Sequence, residues 1–138
     1  MKLPVGCFAL LLVVNSYECT TSPTSPTRAK LLGTWGGDHL SLQIESTGAK
    51  LEYDCAMGTI TEPIVLDGRG RFDVRGFHTP GHGGPIREGE VSPRYPARYV
   101  GQGDGSRMTL VVSLVDSAAV IGSFMLERGR TGSVFRCL

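Results

Sequence analysis

Apolar and polar residues alternate in short segments along the chain from residue 31 onward. In the clearest segment Leu40, Leu42 and Ile44 each have polar neighbours. Because successive side chains of a β-strand point to opposite faces, this period of two predicts strands with one buried face. The predicted strands cover residues 39–45, 49–56, 59–66, 71–77, 97–102, 107–114, 119–127 and 133–138.

The connections between these segments are rich in turn residues. Asp67–Gly70, Gly103–Gly105 and Arg128–Gly132 are short, glycine-containing segments of the kind that join hairpins. The 19 glycines and 8 prolines disfavour long helices. The sequence therefore predicts an all-β fold with no significant helix in the mature domain. The favoured architecture is a small antiparallel up-and-down β-barrel of about eight strands, because closure removes exposed sheet edges, and a β-sandwich is the alternative.

The N-terminal residues 1–16 have the pattern of a secretory signal peptide. Lys2 precedes an unbroken apolar run, Cys7–Val14, which is too short to span a bilayer as a helix. Small residues then precede a cleavage position before Tyr17. The alternative is a buried N-terminal helix. The signal-peptide interpretation predicts an exported protein that is periplasmic or extracellular.

Residues 17–30 are rich in serine, threonine and proline and have no apolar periodicity, which predicts a linker. Residues 31–138 are then a single β-barrel domain. Most of the linker follows Cys19, an arrangement that resembles the tether of a bacterial lipoprotein. The resemblance implies membrane attachment through a lipid on Cys19, and the alternatives are a free thiol or an intermolecular disulfide.

The four cysteines are Cys7, Cys19, Cys55 and Cys137. Cys7 leaves with the predicted signal peptide. Cys55 and Cys137 each alternate with apolar residues that we predict to face inward, so we expect them to pair in an oxidising compartment. Closing a loop of this length contributes on the order of 4 kcal/mol. No pair of cysteines, or of cysteine and histidine, has the spacing of a metal site.

The segment Gly33-Thr34-Trp35, at the start of a small all-β domain, resembles the calycins, which include the lipocalin and avidin-like barrels. This resemblance implies an eight-stranded up-and-down barrel with an end that holds a small ligand. It also implies that Trp35, the sole tryptophan, packs across one barrel end near a basic residue from late in the chain. The late basic residues are Arg128, Arg130 and Arg136.

The longest connection runs from Phe77 to Tyr95. Loops longer than about 12–15 residues in a compact domain are usually functional or disordered. We therefore expect an ordered loop across one barrel end, and its candidate ligand-binding residues are Phe77, His78, His82, Arg87 and Tyr95. The two histidines are expected to be exposed or half-buried polar groups, and without an obvious third protein ligand they do not predict a metal site.

Charge and motifs narrow the function further. The net charge of +1 and the absence of a basic stripe argue against nucleic acid as a partner. No nucleophile elbow or catalytic constellation is present, so we expect no catalytic residue and no cofactor. The leading hypothesis is an exported, non-enzymatic β-barrel that binds a small molecule or an envelope component. The alternative is a structural or protein-interaction domain with a filled barrel, and a metal-binding protein or an enzyme ranks below both.

Overall fold

The computed structural model describes residues 31–138. The predicted signal peptide at 1–16, the predicted linker at 17–30 and the lipidation of Cys19 lie outside the described residues. Among residues 31–138 there is no α-helix, and no helix long and apolar enough to cross a membrane.

Eight antiparallel strands close into one barrel in sequence order, and the last strand returns to the first. The all-β barrel prediction is therefore confirmed over the sandwich alternative. The strands are β1 Gly33–Gly37, β2 Leu40–Glu45, β3 Gly48–Tyr53, β4 Ala56–Ile60, β5 Arg71–Pro80, β6 Tyr95–Gly103, β7 Arg107–Leu114 and β8 Val120–Arg128.

The strand count agrees with the sequence, but two predicted strands are misplaced. The segment 59–66 is not one strand, because β4 begins directly after the β3–β4 turn and ends at Ile60, before Pro63. The segment 133–138 is not a strand either, apart from an isolated bridge between Asp38 and Ser133. The strand that the sequence did not predict is the glycine-rich β1. It has too few large apolar residues to show a period of two.

The barrel interior is filled by the apolar side chains of all eight strands. The largest of them, Trp35, has no solvent exposure, and its indole nitrogen donates a hydrogen bond to the Leu31 carbonyl (3.1 Å). Other interior residues with at most 1% exposure are Leu40, Leu42, Ile44, Leu51, Ala97, Tyr99, Leu110, Val112 and Leu126.

Trp35 and Arg128 close one end of the barrel, which we call the closed end. The guanidinium carbon of Arg128 lies 5.7 Å from the centre of the Trp35 ring, and the side chain donates hydrogen bonds to the carbonyls of Leu32 (2.8 Å) and Gly105 (3.3 Å). Arg128 is thus the late basic residue next to the tryptophan, rather than Arg130 or Arg136. The closed eight-stranded barrel is consistent with the calycin-like architecture that the resemblance implies.

The opposite end, which we call the open end, carries the β1–β2, β3–β4, β5–β6 and β7–β8 connections. Inward-facing residues at this end are only half-buried: Ala56, Pro80, Leu114, Gly122 and Phe124. The two barrel ends therefore differ, because the inward-facing side chains near the closed end are almost fully shielded from solvent.

Residues 129–138 form a segment that we call the C-terminal strap, which crosses the outside of β1 and then reaches the open end. The amide of Gly129 donates to the Thr34 carbonyl (2.7 Å), and the amide of Ser133 donates to the Gly37 carbonyl (3.0 Å). A Cβ atom at Gly36 would collide with the strap backbone, so only glycine permits this close approach.

The disulfide between Cys55 and Cys137 fixes the end of the strap. Their Cα atoms are 5.0 Å apart, so the predicted pairing is confirmed. The predicted inward orientation of the neighbouring apolar residues was wrong as a reason for this pairing, because both cysteines are exposed and Phe135 is 67% exposed. Cys55 lies in the β3–β4 turn with a φ of 54°, where the strand alternation has already ended.

Candidate functional site

A pocket of about 310 Å³ lies at the open end. It is enclosed by the β3–β4 turn, the end of β5, the β5–β6 connection and the C-terminal strap. Its apolar lining residues are Tyr53, Ala56, Met57, Pro80, Ile86, Val134 and Phe135. The sequence offered no signal for the strap residues Val134–Arg136 in this lining, because the strap was expected to be a barrel strand.

Buried polar side chains lie below and beside this pocket. Tyr53 is one of the lining residues, and its buried hydroxyl is 2.7 Å from Nδ1 of His78, with the two rings stacked and their centres 5.6 Å apart. The Tyr99 hydroxyl donates to the carbonyl of Phe77 (2.7 Å). Gly58 faces this cluster, and a Cβ atom there would crowd both tyrosine hydroxyls. These contacts fix the positions of the aromatic side chains at the base of the open end.

The cluster is uncharged near neutral pH. Burial raises the pKa of the Tyr53 and Tyr99 hydroxyls, and burial lowers the pKa of His78. Each shift favours the neutral form, because burial disfavours the charged form of any group. No side-chain nitrogen or oxygen of residues 31–138 is fully buried without a hydrogen-bond partner. The cluster of Tyr53, His78 and Tyr99 therefore has satisfied polar groups and no net charge, and the charged residues of the pocket lining are Glu52 and Arg136.

The predicted ligand-binding residues are divided between strands and loop. Phe77 and His78 lie in β5, and Tyr95 begins β6 opposite His78. The connection is thus shorter than predicted, at residues 81–94, and it contains His82 and Arg87. The prediction that His78 is exposed or half-buried is wrong, since it is only 7% exposed. Its pairing with Gly58 of β4 extends β5 beyond the predicted strand end and turns the ring inward.

The β5–β6 connection is held by contacts among its own residues and with the β3–β4 turn, and it contributes to the pocket wall. His82 Nε2 lies 2.9 Å from a carboxylate oxygen of Glu90, whose other oxygen accepts from the Arg87 amide (3.0 Å). At its start, the amide of Gly81 donates to the Cys55 carbonyl (2.6 Å). Residues 81–94 are exposed throughout, and the pocket is lined by His82 and Ile86 among them. The loop lies beside the pocket rather than burying it.

The side chain of Asp54 joins the β1–β2 turn to the C-terminal strap at the open end. His39 Nδ1 is 2.6 Å from a carboxylate oxygen of Asp54, and the other oxygen of Asp54 accepts from the Phe135 amide (2.8 Å). The hydrogen bond from Phe135 and then the contact with His39 hold the pKa of Asp54 below its usual value. Within residues 31–138, no three His, Cys, Asp or Glu residues are close enough together to hold a metal ion.

No protein-family model matches this chain, and neither a curated protein nor a solved structure is significantly similar to it.

Proposed function

We propose that this chain is an exported, non-enzymatic β-barrel module that binds a small, mainly apolar and uncharged molecule at its open end. The observation that carries the proposal is the difference between the two barrel ends. Trp35 and Arg128 close one end, whereas the other has half-buried inward side chains and a pocket beside them.

The pocket has the characteristics of a small-molecule site. Such sites are concave and mostly apolar, with a few placed polar groups, and begin at volumes of about 300 Å³. Here the apolar wall comes from Met57, Ile86 and Phe135, and the polar side chains of the lining include those of Glu52, His82 and Arg136. The charged lining residues Glu52 and Arg136 have opposite signs. The lining therefore has no excess of either charge, which favours a ligand without net charge, because burying an unpaired charge is costly.

The resemblance of Gly33-Thr34-Trp35 to the calycins supports the same proposal. In a calycin-like barrel the tryptophan end is closed by packing with a basic residue, as Trp35 and Arg128 pack here. We place this chain with barrels of that architecture and not with any particular ligand class of the family.

Export supports a role in the cell envelope or outside the cell. The N-terminal pattern at 1–16 and the exposed disulfide both suit an oxidising compartment, periplasmic or extracellular. The linker at 17–30 would tether the barrel to a membrane if Cys19 carries a lipid. An envelope component is therefore the alternative ligand, and we propose no nucleic-acid partner, cofactor or catalytic residue.

A second candidate function is a structural or protein-interaction domain with a filled barrel. The near-complete shielding of Trp35, Leu42 and Leu110 favours it, because these side chains leave no room for a ligand in the middle of the barrel. The two candidates differ in one place, since only ligand binding requires the pocket beside Tyr53 to be functional.

A titration with the uncharged apolar dye Nile red distinguishes the two candidates. We expect saturable binding with enhanced fluorescence, and Ala56→Trp should abolish it by filling the pocket. The matched control is Ala119→Trp, which places the same side chain in the exposed β7–β8 connection. Saturable binding that Ala56→Trp leaves unchanged, or no binding by a correctly folded wild type, would favour the filled-barrel candidate.

A further inference from the structure

The barrel wall is incomplete where β8 meets β1. These strands share only two register pairs, at Trp35 and Gly36 of β1. β1 ends at Gly37, which passes close to the carbonyl of Met125. The preceding residues of β8, Val120–Phe124, therefore have a strand neighbour on the β7 side only. We call Val120–Phe124 the free edge.

The backbone of the free edge is available for pairing. No backbone hydrogen bond from a turn or loop within residues 31–138 reaches it. Proteins usually protect such an edge with charged residues or proline, because an unpaired edge can accept another strand. The segment Ser117–Leu126 contains neither. The register shift at Val112/Ser113 lies in the pairing with β7 and does not cover the free edge.

A groove of about 620 Å³ continues the free edge along the outer face of the barrel. Its lining includes Ser123–Glu127 of β8, with Gln102 of β6 and Arg107 and Thr109 of β7 beside them. It also includes Asp38 of the β1–β2 turn and Arg130 of the C-terminal strap, which form an ion pair at 3.1 Å. The rise per residue, the distance between paired strands and the distance between packed sheets together give a volume of about 160 Å³ for one extended residue. The groove therefore has room for about four extended residues.

The side chains around the edge indicate what kind of segment fits. Val111, Ile121 and Met125 are 37%, 36% and 78% exposed on the outer face beside it. The charged residues that line the groove balance one another: Asp38, Glu127, Arg107 and Arg130. This surface favours a segment with alternating apolar side chains and no net charge.

We propose that the free edge, Val120–Phe124, is a docking site for an extended, uncharged segment of a partner protein, which adds to β8 as a further strand. Strand addition of this kind gains affinity from main-chain hydrogen bonds and specificity from alternate side chains. The segment would hydrogen-bond to β8 and continue into the groove.

Two other occupants fit less well. A second copy of this chain would offer its own free edge, Val120–Phe124, but that edge belongs to a closed barrel and is not an extended segment that could continue into the groove. The linker of this chain contains Pro23 and Pro26, which lack the amide hydrogen that a strand ladder needs.

A phage-displayed library of random octapeptides, selected on the chain without its predicted signal peptide, tests the proposal. We expect enriched peptides to be uncharged with alternating apolar residues. In fluorescence anisotropy, the double variant Ile121→Lys, Met125→Lys should weaken their binding by about tenfold or more, because it places charges beside the edge. The matched control is Val100→Lys on β6, which has the same 36% exposure as Ile121 and should keep wild-type affinity.

Several results would overturn the proposal. They are a failure of any peptide to be enriched, enrichment of charged peptides only, and equal binding by the double variant. A dimer that the double variant dissociates would identify a second copy as the occupant. Tighter peptide binding after removal of residues 17–30 would identify the linker. Circular dichroism melting curves of both lysine variants should match wild type, since the substituted side chains point to solvent.

Discussion

Removing the disulfide between Cys55 and Cys137 should destabilise the barrel strongly, because the bond closes a long loop. The cysteines are 82 residues apart, so the bond restricts most of the unfolded domain. The chain-entropy relation gives about 4.5 kcal/mol for a loop of this length. With a urea m value of about 2 kcal/mol per M, the unfolding midpoint of the double variant Cys55→Ser, Cys137→Ser should fall by about 2 M.

Urea unfolding followed by Trp35 fluorescence measures this loss. Wild type treated with dithiothreitol should unfold at the same midpoint as the double variant, and dithiothreitol should not change the double variant. If the effect is entropic, the bond acts on the unfolded chain, so its removal should slow folding more than it speeds unfolding. A loss below about 1 kcal/mol, or a loss that appears mainly as faster unfolding, would refute this reasoning and assign the effect to strap contacts.

Three further predictions concern single residues. Because burial lowers the pKa of His78, the unfolded chain takes up this proton at higher pH than the folded chain. The stability from neutral His78 is thus present above about pH 6.5 and is lost as pH falls through the folded pKa. The variant His78→Gln should therefore flatten the pH dependence of the unfolding free energy from pH 7 to 5, and an unchanged slope would contradict the burial of this histidine. Replacing Arg128 by Leu should cost about 1–2 kcal/mol in thermal unfolding, whereas Arg136→Leu should cost under about 0.5 kcal/mol, and equal losses would contradict the assignment of Arg128 to the closed end. Metabolic labelling with a fatty acid should mark the wild type and not Cys19→Ala, and an unlabelled wild type would exclude the lipid anchor.

The strands with one buried face were the part of the fold that the sequence predicted most clearly. β2 and β7 follow the period of two residue by residue, because each has one face on the filled interior and one face in solvent. β1 was missed, because Gly33–Gly37 has a single large apolar residue and its close contact with the strap depends on Gly36. The last residues alternate like a strand, yet hydrogen bonds and the disulfide hold them outside the barrel.

The candidate site was harder to predict, because it is built from segments distant in sequence. His78 follows a clear strand pattern but precedes Pro80 and several glycines, so it was assigned to the loop. Pairing of β5 with β4 and β6, which no local pattern reveals, continues the strand to Pro80 and buries the histidine. The pocket also depends on the path of the strap. In the sequence, only the expected pairing of Cys55 with Cys137 indicated that path.

The most direct test of the central claim is amide chemical-shift mapping by NMR as Nile red is added to the ¹⁵N-labelled chain. The account predicts that the largest shifts occur around the pocket, at Ala56, Gly81 and Cys137. Shifts centred on the closed end around Trp35, shifts confined to the groove at Ser123–Glu127, or no saturable shifts would contradict a ligand site at the open end.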